Sequence, residues 1–376
     1  MRDRLIALAG SLAVATVAVG LTPHSLAAQA AKPAAPKPAA KPAAPPRAAD
    51  GHPDFTGFYD VATMTPVERP NGAPLVLSDK EAAAMEAYEY ARQVKNDAPI
   101  AGDRSAPPVG GEQTQPKSYL EFLERAGGGV VGGYNNFWLA GGMKMITVDG
   151  QKRSSLVIDP PDGKVPPMKQ EARDRNARFL AGAVSPDASE SASAGPPGAF
   201  DGPELRPLAE RCLLGFGNTS GPPTLPNYFY NNMKQIVQTK DTIMILNEMV
   251  HDARIIRMNA EHLPQNIRRW MGDSVGRWEG DTLVVDTTNF TSKTQFRGSS
   301  ENLHVVERFS WMDGNLRYRF TVDDPSTWDR AWTGEYPWVA STEGLYEYAC
   351  HEGNYALGDM LRGARAKEAE DAAKKP

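Results

Sequence analysis

His304-Val-Val-Glu-Arg-Phe-Ser-Trp-Met-Asp-Gly-Asn-Leu-Arg-Tyr-Arg-Phe-Thr-Val322 reads as two β-strands about a two-residue turn. Asp313-Gly314 is a type I′ signal, because both central residues of that turn need positive φ. The turn sets the register: Trp311 opposite Leu316, Phe309 opposite Tyr318, Glu307 opposite Phe320. Side chains alternate across a strand. Val305, Glu307, Phe309 and Trp311 therefore share one face with Leu316, Tyr318, Phe320 and Val322. The other face carries His304, Arg308, Arg317 and Arg319 and faces water. The dry face is apolar and aromatic, with one carboxylate set into it.

Two further hairpins flank this one. Lys240-Asp241 joins 233–239 to 242–250, and Gly280-Asp281 joins 277–279 to 282–290. Short antiparallel strands at this spacing predict a mainly β chain, an antiparallel β-barrel or sandwich with a few peripheral helices. Trp278 and Trp311 supply its interior. The first half is less regular. Residues 55–61 alternate as a strand, and 143–148 and 154–158 form a strand pair around Asp149-Gly150. Ser78 and Glu81 have the spacing of a capping box. The helix they open runs to about Val94, with Ala82, Met85, Tyr88 and Ala91 along one stripe. A loop at 97–116, a short helix at 119–125 and a strand at 134–139 follow. Pro166 starts a second helix, and the Ala/Ser/Gly/Pro-rich stretch 182–204 reads as a flexible insertion.

The ends of the chain speak to its destination. Residues 1–30 have a basic start, an apolar stretch and Ala28-Gln29-Ala30, the pattern of a secretory signal peptide. Retention as a membrane anchor is the alternative, since the apolar stretch of about 17 residues just reaches the length of a span. Residues 31–49 are an Ala/Pro/Lys-rich linker, and 366–376 are a charged tail. Between them, 50–365 form a single β-rich domain. The expected location is the periplasm or the medium, with association to the cell envelope through the linker. The formal net charge of −5 offers no basic face and so no nucleic-acid partner. Two cysteines remain, Cys212 and Cys350. Export favours one disulfide; two buried thiols and a two-thiolate metal site are the alternatives.

Chemistry has few places to sit. A carboxylate on a dry face is either ion-paired, for instance with Arg297, or has a raised pKa suited to proton transfer on a ligand. Glu307 is accordingly the first candidate catalytic residue, with His351, His251 and Glu352 as the other acid/base groups. Trp278, Arg297, Trp311, Tyr318, Tyr346 and Asn354 are candidate ligand-binding residues. The histidine spacing does not match a zincin, and there is no dinucleotide fingerprint or hydrolase elbow, so neither metal nor organic cofactor is expected.

Four stretches resemble a large family of exported bacterial proteins of uncharacterised function. They are Ser155-Leu-Val-Ile-Asp-Pro-Pro-Asp-Gly-Lys-Val-Pro-Pro167, Arg269-Trp-Met-Gly-Asp-Ser-Val-Gly-Arg-Trp-Glu-Gly-Asp-Thr-Leu-Val-Val-Asp-Thr-Thr-Asn-Phe290, Phe296-Arg-Gly-Ser-Ser-Glu-Asn-Leu-His304 and Tyr346-Glu-Tyr-Ala-Cys-His-Glu-Gly-Asn-Tyr355. The resemblance covers most of 130–365 and brings no activity, cofactor or catalytic residue with it. A looser likeness, in strand pattern only, is to lipocalin-like barrels, which hold small apolar ligands. Two functional readings follow. One is acid/base proton transfer on a small, partly apolar molecule by a lyase, isomerase or cofactor-free hydrolase. The other is a non-catalytic small-ligand-binding or structural envelope protein.

Overall fold

In the computed structural model the strand 304–312 is hydrogen-bonded to 315–323 in the register that the turn dictates, with Glu307 opposite Phe320 and Trp311 opposite Leu316. The structure describes residues 45–96, 141–183, 200–206, 208, 210–214, 220–227 and 230–374. The signal peptide expected at 1–30, most of the linker expected at 31–49, the loop expected at 97–116, the elements expected at 119–125 and 134–139, and most of 182–204 lie outside these residues.

Thirteen strands are described: β1 (Gly57–Asp60), β2 (Val76–Leu77), β3 (Thr147–Val148), β4 (Gln151–Arg153), β5 (Val157–Asp159), β6 (Met233–Gln238), β7 (Thr242–Asn247), β8 (Ala253–Met258), β9 (Asp273–Glu279), β10 (Thr282–Thr288), β11 (His304–Met312), β12 (Asn315–Asp323) and β13 (Trp332–Ser341). The helices are α1 (Asp79–Asn96), α2 (Gln170–Ala183) and α3 (Tyr355–Ala373). The main sheet runs β1-β6-β7-β8-β9-β10-β11-β12-β13 and closes by pairing β1 with β13, leaving β5 attached outside. It is a nine-stranded barrel.

The barrel is mixed, not purely antiparallel, since β8 and β9 run parallel. The reason is counting. Strand directions can alternate around a closed ring only when the number of strands is even. With nine, at least one neighbouring pair must run the same way, and the segment 259–272 recrosses the barrel to provide it. Two local expectations also change. Only 147–148 and 151–153 pair around Asp149-Gly150, whereas Val157–Asp159 joins β13. The second helix starts at Gln170 and not at Pro166. Pro167 disfavours helical backbone at Pro166, and Lys169 N–H donates to Thr327 O at 2.8 Å. The capping box forms as expected, with the Glu81 carboxylate accepting from Ser78 N at 2.9 Å and Glu81 N donating to Ser78 Oγ.

The interior is aromatic. Tyr318 sits at its centre, with ring centroids 4.9 Å from Phe309, 5.1 Å from Trp338, 5.4 Å from Tyr336 and 5.5 Å from Phe320. The three two-residue turns lie at one end of the barrel. There the N-terminal segment folds over the opening: Phe55 packs on Trp278 and Trp311, His52 stacks on Trp278 at 4.7 Å, and exposed Arg47 pairs with Asp281. At the opposite end residues 220–227 reach inside. Thr224 N donates to Tyr318 Oη at 2.9 Å, and Tyr336 Oη donates to Thr224 O at 2.8 Å. One end is thus closed by aromatic rings and the other by a backbone plug. The polar interior lies under the plug.

Candidate functional site

Three charged residues stand in phase with apolar stripes that line the barrel. Lys234 alternates with Ile236 on β6, Arg254 with Ile256 and Met258 on β8, and Glu307 with Val305 and Phe309 on β11; all are buried. A charge in that position must find compensation nearby. Glu307, at 0% exposure, has Arg254 Nη1 at 2.9 Å from Oε2 and a hydrogen bond from it to Oε1 at 3.1 Å. Tyr318 Oη donates to the same Oε1 at 2.7 Å. The Tyr318 phenol is pushed well above its ordinary range, first by burial and then by the charge of Glu307. It is a fixed donor and no proton source.

The ion pair expected of Glu307 therefore exists, but its partner is Arg254. Arg297 is exposed at the tip of the turn 296–299, with φ of 49°. The other acid/base candidates stay outside the barrel: His251, His351 and Glu352 are all exposed. Tyr346 is exposed, and its backbone N–H donates to Glu248 Oε1 at 3.2 Å. Asn354 caps α3 and donates to Glu210 O at 2.7 Å, beside the Cys212–Cys350 disulfide, which spans 138 residues. Trp278 and Trp311 are half-buried at the hairpin-turn end. Of the sequence candidates the structure joins only Glu307 and Tyr318.

The residues it adds are Arg254, Lys234 and Asn247. Their signal was available, since each breaks an apolar alternation just as Glu307 does. Together they leave buried polar atoms unmatched. Arg254 Nε and Nη2, Lys234 Nζ and Asn247 Oδ1 make no hydrogen bond to the protein. Burial pulls the Lys234 amine down to about 8, against the opposing pull of Glu248, Asp252 and Asp60. Native interiors pair nearly all such atoms with protein, water or a bound group. Beside the plug, Gly221, Pro222, Phe290, Phe296 and Ser299 line a crevice of about 20 Å³, which admits water but no organic molecule.

A second polar cluster lies on the outer surface. His262, which the sequence did not single out, bridges Asp273 (3.1 Å from Nδ1) and Asp286 (3.0 Å from Nε2). His304 Nε2 is 3.1 Å from both Asp286 oxygens, and Arg257 pairs with Asp273 at 2.9 Å. Burial would raise the Asp273 carboxyl, yet Leu263 N–H, His262 and Arg257 together bring it below its ordinary value. The bond to His304 holds Asp286 low, and the same bond raises His304. Every member finds a partner within the cluster, so it ties β8, β9, β10 and β11 together. Among the described residues no group of His, Cys, Asp and Glu is placed to hold a metal.

The signs of these shifts predict a stability window. His304 contributes fully below its unfolded value of 6.5, and the contribution is lost as pH rises through the higher folded one. Asp286 contributes above 3.8 and loses it as pH falls through the lower folded value. The pair is strongest between these limits. His304 is 41% exposed, so solvent screening keeps the effect near about 1–2 °C in Tm. In a pH series of melting curves, His304→Gln should abolish the loss between pH 6 and pH 8; an unchanged slope would remove His304 as its source.

No family model, no curated protein and no solved structure matches the chain.

Proposed function

We propose that this chain is an exported envelope protein whose barrel binds a small, partly apolar molecule under the plug, without proton-transfer turnover. The observation that carries the reading is the set of unmatched buried atoms on Arg254, Lys234 and Asn247. Donors outnumber acceptors there, so the complementary ligand presents an oxygen acceptor, a carbonyl or carboxylate, on an apolar body that the aromatic interior can wet. The leader and the linker support export. A disulfide, and the absence among the described residues of any helix long and apolar enough to cross a membrane, are compatible with it. The resemblance to exported bacterial proteins points the same way.

The catalytic reading draws less support. Glu307 spends its charge on Arg254, and the histidines meant to share its work are solvent-exposed. Proton transfer needs acid and base within hydrogen-bond reach of one substrate atom. Native mass spectrometry of protein taken from the periplasm, with melting curves against small aromatic and aliphatic carboxylates and carbonyls, tests the binding reading. The expected result is a retained small mass, or a rise in Tm of several degrees with one class of compound. Polypeptide mass alone with no shift from any compound would leave a purely structural envelope protein.

A further inference from the structure

We propose that Lys234 captures small aldehydes or ketones as a reversible imine inside the barrel. This deepens the reading of the plugged end as a small-molecule site and rests on it. Lys234 is 0% exposed and its Nζ meets no hydrogen-bond acceptor in the protein. Asn247 lies directly opposite it on β7. The Asn247 amide nitrogen is committed to Asp252 O at 3.1 Å, which can only accept, so its Oδ1 is the atom left over, and it too is buried and unmatched. An unmatched donor and an unmatched acceptor on directly paired residues call for one polar group that both accepts and donates. A hydroxyl attached to the carbon that the amine attacks is such a group.

The turn 248–252 completes the site. Val250 and His251 both hold left-handed backbone, with φ of 59° and 48°. That conformation is costly for a β-branched residue and is found where function or tight packing requires it. It folds Asp252 back so that its carbonyl takes both Asn247 N–H groups, at 2.8 Å and 3.1 Å. The groups whose charge reaches Lys234 are Glu248 and Asp252 from this turn and Asp60 from β1. Glu248 accepts from Met233 N and Tyr346 N, and Asp60 from Ala62 N. Asp252 accepts from Ser220 N at 3.3 Å, and burial raises its carboxyl above the ordinary range. The amine therefore gives up a proton more easily than usual while a neighbouring carboxyl keeps one more easily.

The chemistry balances without a co-reactant. The neutral amine adds to the carbonyl carbon, and the carbonyl π pair moves to oxygen, which gains a proton. That proton comes from the nitrogen, whose lone pair then forms the C=N bond as the C–O bond breaks, and oxygen leaves as water with a second proton taken from solvent. Water reverses the sequence, so the capture is binding and not turnover. Exposed lysines stay almost fully protonated near neutrality and compete poorly.

The wild-type protein can be incubated with limiting benzaldehyde and sodium cyanoborohydride near pH 7.5 and mapped by peptide mass spectrometry. The expected result is one benzyl group on Lys234, added at least about tenfold faster than on exposed Lys240 or Lys293, given the pKa gap. The rate should climb with pH up to about 8. Lys234→Met, which replaces an unmatched amine by an apolar chain of similar length, should fold and lose the fast addition. Label on surface lysines with Lys234 untouched, or a fast addition that survives in Lys234→Met, would overturn the proposal. A melting shift with any of the carboxylates or carbonyls and no reductant would then show that the binding reading stands without it; no shift from any of them, with polypeptide mass alone, would remove both.

Discussion

Arg254→Met is expected to lower stability by about 3–5 kcal/mol, the largest loss of any single substitution in the barrel, because it strands the Glu307 carboxylate without its charge partner. For a domain of this size that is about 10 °C in Tm. Glu307 has 0% exposure and one short bond from Tyr318. Tyr318 stabilises the carboxylate but brings no charge. Glu307→Gln should cost about 3 kcal/mol for the mirror-image reason, since it leaves the Arg254 guanidinium alone. The double variant Arg254→Met, Glu307→Leu should recover most of either loss, as paired removal of buried ions often does. Urea unfolding with the slope held constant reads all three. If Glu307→Gln shifts neither the midpoint nor ligand binding, the ion pair carries no energetic weight.

Reduction of Cys212–Cys350 is the second large effect. The bond spans 138 residues, and loop-closure entropy puts its contribution at about 4–5 kcal/mol. The barrel wall ends at Ser341, so what the bond holds is the arm beyond it. That arm is otherwise pinned by Tyr346 N to Glu248 and by Asn354 to Glu210 O and Cys212 Sγ. With dithiothreitol the urea midpoint should fall accordingly, and hydrogen exchange should show α3 opening before the barrel. A midpoint shift worth less than about 1 kcal/mol would mean that the bond tethers the arm alone and leaves the barrel equilibrium unaffected.

The sequence was most legible where chemistry is local. A two-residue turn with Asp-Gly leaves one register, and the alternation around it placed Glu307 among aromatic rings without reference to any distant residue. The capping box at Ser78 was equally local. What escaped was long-range. Arg254 lies on another strand, and its meeting with Glu307 depends on β8 and β9 running parallel, a feature that follows from the strand count and leaves no mark in the hydrophobic pattern. Arg297 was the wrong partner because nearness in sequence was the only guide available. Lys234 and Arg254 carried the same signature as Glu307, a charge set into an apolar stripe. His262 sits in the irregular segment 259–272, where periodicity carries no information.

The first strand has a further consequence. β1 is four residues long, yet it pairs with β6 on one side and β13 on the other, Phe58 lying against both Gln235 and Ser341. It is made first and finds its second neighbour only when nearly the whole chain exists. Until then β6–β8 and β9–β13 can form as separate meanders of local hairpins, each with bare edges. Any chain stopped before 341 leaves those edges open to other chains. Contacts this distant in sequence also make the last step slow. A polypeptide organised in this way stays unclosed until its synthesis is nearly complete, so its folding is ordered in time by where one short strand sits.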